Sequence, residues 1–513
     1  MSLESPLFLT HPHRSFGVDA TAMGVDPDAL DALPWSRAFH VMAELERGAI
    51  ANPDEGRQVG HYWLRAPELA PEPAQAEAIR HTLAEVLAFA ESVRTGELGV
   101  DGRRFTDLVH VGIGGSALGP QLVLDALLDA PSGGLTPWFV DNTDPDGVER
   151  VLRRLGERLD TSLVVVVSKS GGTAETANGA RLVAEALSRR GCAPGPRTVA
   201  ITQAGSALDR QAEEQRWLRR FPMWDWVGGR TSVTSAVGWV PAALCGVDVP
   251  SLMRGAAEMD TWTRRPKWRD NPAALLAGCL HVVGNGRGDR NLVVLPYADR
   301  LVLLSKYLQQ LVMESLGKAT NNRGELVHQG LTVYGNKGST DQHAYVQQLR
   351  DGRDDFSALF VQVCSDGIGS RAEVAPGANA GDFLQGFLLG TRRALREQGR
   401  PSAVVTVPEV SAFELGGLVA LFERVVGLYG ALIEINPYHQ PGVEAGKTAA
   451  RAVLDLSAAL RREVSADPRT AAVLARALGA DPIEVFHVLE RLAYDGRVTR
   501  AGRGPTATYR ATA

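Results

Sequence analysis

Three short apolar runs, each ending in glycine or hydroxyl residues, constrain the fold of this chain more than any other feature. They are DLVHVGIGG (107–115), SLVVVVSKSGG (162–172) and RTVAITQ (197–203). Helical stretches such as TANGARLVAEALSRR (176–190) lie between them. Strands rich in valine and isoleucine that alternate with helices predict a parallel sheet covered on both faces. A second series follows with NLVVLP (291–296), ALFVQV (358–363) and AVVTV (403–407). The fold class expected is therefore α/β, with two such units in tandem and WTRRPKWRDNPAA (262–274) as the bridge.

The flanks differ. Residues 1–100 are expected to be mainly helical, with the clearest helical spacing in PAQAEAIRHTLAEVLAFAESVR (73–94). Composition shifts near VSADPRT (464–470), and the last 50 residues form a small unit of their own. TAAVLARALGA and DPIEVFHVLERLAYDG predict two helices, the second with Asp481 as its cap and Pro482 at its first position. RVTRAGRGPTATYRA predicts a hairpin. The expected divisions are 1–100, 101–265, 266–463 and 464–513.

A net charge of −5 argues against a general affinity for nucleic acid or an anionic membrane. The four cysteines are scattered and form no CxxC pair, so buried thiols in a reducing compartment are expected, with no metal site. The start, MSLESPLFLTHPHR, has no basic segment followed by an apolar core. The most apolar stretch, 415–435, carries Glu423 and Arg424 at its middle, which suits a buried soluble helix. A cytoplasmic location is expected.

SKSGGTAET (168–176) sits where open parallel sheets bind ligands, beyond a strand's C-terminal end. Gly171 and Gly172 let the backbone approach an anion, and the next helix directs its free N–H groups there. Ser168, Ser170 and Thr173 can each donate a hydroxyl hydrogen bond, and Lys169 adds charge or points to solvent. VGIGGSALGP (111–120) is a second corner of this kind. Its glycine spacing is neither that of the dinucleotide fingerprint nor that of the nucleoside-triphosphate loop. Two such corners side by side suit one phosphate monoester; the ordinary alternative is a pair of tight turns.

Four acid–base or cationic groups stand out farther on: Glu314 in LQQLVMESLGK, His343 in STDQHAYVQQ, Lys447 in NPYHQPGVEAGK and Arg230 in VGGRTSVTSAVG. Singly, they could be a solvated carboxylate, a helix cap, a surface charge and a salt-bridge partner. Spacing alone does not bring them together.

In this order, IGGSALGP, SKSGGTAET, VGGRTSVTSAVG, MESLGK, TDQHAY and QPGVEAGK resemble the phosphoglucose isomerase family, in its shorter bacterial form, over roughly residues 55–455. The resemblance implies two sugar-isomerase (SIS-type) domains, each a parallel sheet flanked by helices. It implies a homodimer in which His343 reaches the neighbouring subunit's site. It places the sugar phosphate on Ser168, Ser170 and Thr173, with Lys169 and Ser116 close by. Glu314 corresponds to the catalytic base, His343 and Lys447 to the groups that assist ring opening, and Arg230 to the cation beside the enediolate. Glu175, Gln310 and Gln440 match further active-site positions. Thr231 and His439 depart from the family's usual residues, and Ser170 stands where many members have threonine. The implied activity is the glycolytic and gluconeogenic interconversion of glucose 6-phosphate and fructose 6-phosphate, with no cofactor and no metal.

These residue types suit such chemistry. An imidazole can shuttle the ring-opening proton near neutral pH. A partly desolvated carboxylate can take and return a carbon-bound proton. A fixed guanidinium can stabilise the charge that develops on oxygen. One alternative is a bifunctional glucose/mannose phosphate isomerase. A non-enzymatic alternative is a sugar-phosphate-sensing regulator, because the C-terminal unit resembles a winged helix with Arg497, Arg500, Arg503 and Arg510 on its hairpin. A sensor has no use for Glu314, His343, Arg230 and Lys447 in this pattern, so the tail is expected to pack on protein and not on nucleic acid.

Overall fold

The computed structural model describes residues 4–128 and 133–512, with the side chains of residues 443–445 and 447 excepted. The chain forms two compact units, Met1–His439 and Gln440–Ala513.

In the first unit, five parallel strands stand in the order Thr136–Val140, Asp107–Val111, Ser162–Val167, Thr198–Thr202 and Arg219–Pro222. The three central strands are the expected apolar runs, and all three are buried throughout, as a doubly covered sheet requires. Val111 lies opposite Val166. The corners beginning at Gly112 and Ser168 therefore leave the sheet side by side.

The second sheet contains the other three expected strands, as Asn291–Pro296, Phe356–Val363 and Ser402–Val407, with Val333–Tyr334 parallel at one edge. At the other edge it differs from expectation. Gly17–Ala22 pairs antiparallel with Ser402–Val407, and Phe8–Thr10 pairs with Gly17–Ala22. The segment expected to be mainly helical thus opens with a hairpin that covers an otherwise bare edge. The helix Pro73–Thr95 forms as predicted and ends on Gly96 at φ +82°.

The two sheets share one apolar core, which runs across the expected boundary at 265. The apolar stretch 415–435 forms the helix Ala412–Leu432, which is long and apolar enough to cross a membrane but lies wholly inside the protein. It packs on Val249–Thr263 at glycine contacts. A Cβ on Gly255 would sit 1.8 Å from the Phe413 carbonyl oxygen, and one on Gly416 would sit 2.0 Å from that of Leu252. Glu423 and Arg424 are buried with partners. Arg65 binds Asp260 and Glu423 at 2.6 Å each, and Arg424 binds Glu46 and Asp260. Buried charges persist only when paired in this way.

The second unit begins earlier than the expected residue 464. The helix Pro441–Glu463 belongs to it, because Leu460 and Val464 pack with Leu474, Val485 and Leu489 in a separate small core. The two predicted helices are Ala471–Leu478 and Pro482–Tyr494. Asp481 caps the second, accepting from the N–H groups of Ile483 and Glu484. The hairpin strands Val498–Ala501 and Thr508–Ala511 form a three-stranded sheet with Arg469–Thr470. On the hairpin, Arg500 donates to Glu490 at 2.7 Å, so part of its basic character is spent within the unit.

The cysteine expectation needs one correction. Cys192, Cys245 and Cys279 are buried thiols, but Cys364 is exposed where the chain leaves the strand Phe356–Val363.

Candidate active site

The corner after Ser162–Val167 is built by its own hydroxyls. Ser168 Oγ accepts from the Gly171 N–H, and Ser170 Oγ accepts from the Gly172 N–H, both at 3.1 Å. Gly171 has φ +73°, and a Cβ there would lie 2.3 Å from the Leu208 nitrogen, so only glycine fits. Thr173 precedes the helix Ala174–Arg189, and its side chain makes no capping bond. Glu175 lies in the first helical turn, half-buried. Oxygen-rich turns, exposed N–H groups and a helix start together suit an anion.

Lys169 does not point to solvent. Its Nζ donates to the Asp225 carbonyl at 2.7 Å and to that of Val227 at 3.1 Å. Burial first, then the neighbouring charge of Arg57, pushes its ammonium down to about 8. It thereby ties the glycine–serine corner to the segment that carries Arg230.

The neighbouring corner is the single turn Gly114–Ser116. His110 Nε2 lies 2.7 Å from the Ser116 carbonyl oxygen and fixes it from below. Burial holds His110 down at about 4, so the ring is neutral at physiological pH. A Cβ on Gly115 would lie 2.1 Å from the Gly229 carbonyl oxygen, and one on Gly114 would lie 3.1 Å from Gln310 Nε2. Glycine here lets two turns and the Gln310 side chain meet.

Arg230 is the centre of the site. It lies on the turn Gly229–Thr231 and is 5% exposed. Its Nε is 3.2 Å from Glu314 Oε2. Its Nη1 donates to the Pro437 carbonyl at 2.9 Å and to Ser315 Oγ at 3.3 Å, and both Nη atoms reach the His439 carbonyl at 3.5 Å. Burial pushes its guanidinium downward, opposed by Glu314 and Glu55. Glu314 ends the π-helical segment Gln309–Glu314, an uncommon geometry that favours functional sites. Arg230, Lys169, Thr231 and Ser315 also line one cavity together with Glu55 and His61.

The remaining expected residues are His343, Gln440 and Lys447. His343 is exposed on the turn Thr340–His343 and, among the described residues, forms no hydrogen bond or ion pair with Glu314. Gln440 and Lys447 belong to the second unit, at the start of and within the helix Pro441–Glu463. The Lys447 side chain lies outside the described residues. The two departures are both buried or half-buried. Thr231 Oγ1 donates to the Gly228 carbonyl, and His439 Nδ1 lies 3.1 Å from the Asn436 carbonyl oxygen and 3.7 Å from Asp54 Oδ2. Sequence reasoning missed Lys318, which closes the end of the Glu314 segment. Its presence inside MESLGK was the available signal.

The family model described as phosphoglucose isomerase matches residues 29–368 and 390–474. The chain belongs to the phosphoglucose isomerase family. A glucose-6-phosphate isomerase of Thermosynechococcus vestitus is 53% identical over 494 residues, covering 95% of this chain and 93% of that protein. One from Citrifermentans bemidjiense is 55% identical over 467 residues, covering 90% and 88%. Among solved structures, a glucose-6-phosphate isomerase of Chlamydia trachomatis superposes with a TM-score of 0.78 at 28% identity, covering 86% of this chain and 89% of that one.

Proposed function

We propose that this chain interconverts glucose 6-phosphate and fructose 6-phosphate, with Glu314 as the base that moves the proton between C2 and C1. The Glu314 carboxylate takes the C2 proton of the open-chain aldose, and the electron pair moves to form the C1–C2 double bond of a cis-enediolate. The charge resides on oxygen, beside the Arg230 guanidinium. A proton passes from the C2 hydroxyl to the C1 oxygen, return of the first proton to C1 gives the ketose, and no net proton is consumed. The carrying observation is the 3.2 Å pairing of Arg230 with Glu314. It puts a carboxylate and a buried guanidinium side by side next to the glycine corners.

Ser168, Ser170 and Thr173 hold the phosphate in this scheme, with Ser116 near it and Glu175 behind the helix start. Binding energy from the phosphate, remote from C1 and C2, orients the reacting carbons. Gln310 lies against Gly114 and so faces the same corner. His343 and Lys447 open the sugar ring, with His343 supplied by the partner subunit of a homodimer. The exposure of His343 is compatible with that use. Gln440 adds a substrate contact. The enzyme works in the cytoplasm, on a small sugar phosphate and without a nucleic-acid partner.

The test is turnover of glucose 6-phosphate and fructose 6-phosphate by the purified chain, with mannose 6-phosphate alongside. Conversion of the first two supports the assignment. Absence of turnover with either, in folded protein, contradicts it.

A further inference from the structure

Glu314 stands where a helical segment ends and a strand begins. The π-helical turn Gln309–Glu314 closes at Ser315, and the strand Lys318–Thr320 starts three residues later. The last carbonyls of a helix have no N–H partner of their own and need another donor. Here Lys318 Nζ donates to the Glu314 carbonyl at 2.8 Å and to the Ser315 carbonyl at 2.7 Å. Lys318 is 6% exposed. Its backbone is held by the strand pairing opposite Gln329. The ammonium thus joins the strand Lys318–Thr320 to Glu314 and to Ser315, whose Oγ accepts from Arg230.

A buried ammonium is costly unless it does more than a neutral cap could. Burial and the Arg230 charge push Lys318 down to about 8, while Glu314 and Asp54 oppose them. Charged or titratable groups face Arg230 and Lys318 from three further places: Glu314 itself, Asp54 and Glu55 on the loop before residue 60, and His439 after Pro437.

We propose that Lys318 is a positioning residue for Glu314, clamping the backbone of residues 314 and 315 through its two carbonyl contacts. This rests on the assignment of Glu314 as base. Lys318 touches no reacting atom in this scheme. It fixes where the carboxylate stands.

The experiment compares Lys318→Met, Lys318→Gln and Glu314→Gln in the full chain. Their kcat, KM and Tm are measured with fructose 6-phosphate. Misplacing a base by about 1 Å costs roughly 10² in rate, so Lys318→Met is expected to lower kcat by about that factor with KM changed less than threefold. Lys318→Gln, which keeps a donor for the two carbonyls, is expected to recover part of kcat. A normal kcat in Lys318→Met overturns the proposal. So does a loss that falls on KM as much as on kcat, or one that follows Tm and is not lessened in Lys318→Gln. An active Glu314→Gln enzyme overturns the base assignment itself. An inactive Glu314→Gln beside a normal Lys318→Met enzyme overturns the Lys318 proposal alone.

Discussion

Arg230 Nε lies 3.2 Å from Glu314 Oε2, and the same guanidinium donates at 2.9 Å to the carbonyl of Pro437, 207 residues farther along the chain. One buried side chain therefore gathers the glycine-rich turn, Glu314 and the segment before residue 440. A guanidinium held by this many acceptors cannot swing away, so its charge is oriented before substrate arrives. Fixed charge of this kind stabilises developing negative charge without reorganisation.

Removing that charge should therefore act on kcat. Loss of a preorganised oxyanion donor commonly costs about 10²–10³ in rate, and Arg230→Ala is expected to fall in that range. Arg230→Lys keeps the charge but not the fork that meets Glu314, Ser315 and Pro437, and should recover only part. Steady-state kinetics with both sugar phosphates measures this.

Lys169 binds carbonyls of the segment before Arg230, so its loss should disturb more than phosphate affinity. Lys169→Met is expected to lower kcat as well as raise KM. The pH sign follows from its titration near 8 in the fold against 10.5 in the unfolded chain. Between these values the unfolded chain holds the extra proton, so this group adds stability as pH rises through the window. Its clamp on the carbonyls weakens over the same window. Wild-type activity should decline above about pH 8 while this part of the stability curve rises, and Lys169→Met should flatten both. Activity and Tm recorded across pH 7–10.5 check it.

Thr173 carries a side chain with no capping bond at the head of the helix Ala174–Arg189. A hydrogen bond to a charged group is worth about 1.5–3 kcal/mol. Thr173→Ala should raise KM for sugar phosphates and weaken competitive inhibition by inorganic phosphate by the same factor, with kcat little changed. Parallel inhibition and turnover measurements test the match.

The buried charges of the core make a stability prediction. Arg65 is paired with both Asp260 and Glu423, and all three side chains are fully buried. Breaking such a pair commonly costs about 3–5 kcal/mol, so Arg65→Met should destabilise the fold by that order. Combining it with Glu423→Gln should restore part of the loss, as read by denaturant unfolding.

The central strands were legible because burial on both faces demands a continuous β-branched run, and LVVVV is one. The glycine corners were legible for a related reason: chain turns and close approach restrict residue type. The N-terminal hairpin was not legible. Its inner strand, Gly17–Ala22, pairs with residues nearly 400 positions away, and FLT is too short to signal a strand. The boundary of the second unit was missed because the composition shifts only near residue 464, at the end of the helix Pro441–Glu463 and not at its start. Within the site, sequence suggested that Lys169 would meet phosphate or solvent, whereas its ammonium faces backbone carbonyls. Lys318 was overlooked because a lysine after a glycine has no local mark of burial.

The role of Glu314 is tested most directly by Glu314→Gln in deuterated solvent. Sugar-phosphate binding is measured by calorimetry, and deuterium at C1 and C2 is followed by NMR. Retained binding with isomerisation and solvent exchange both lost is the predicted result. Isomerisation near the wild-type rate would contradict it.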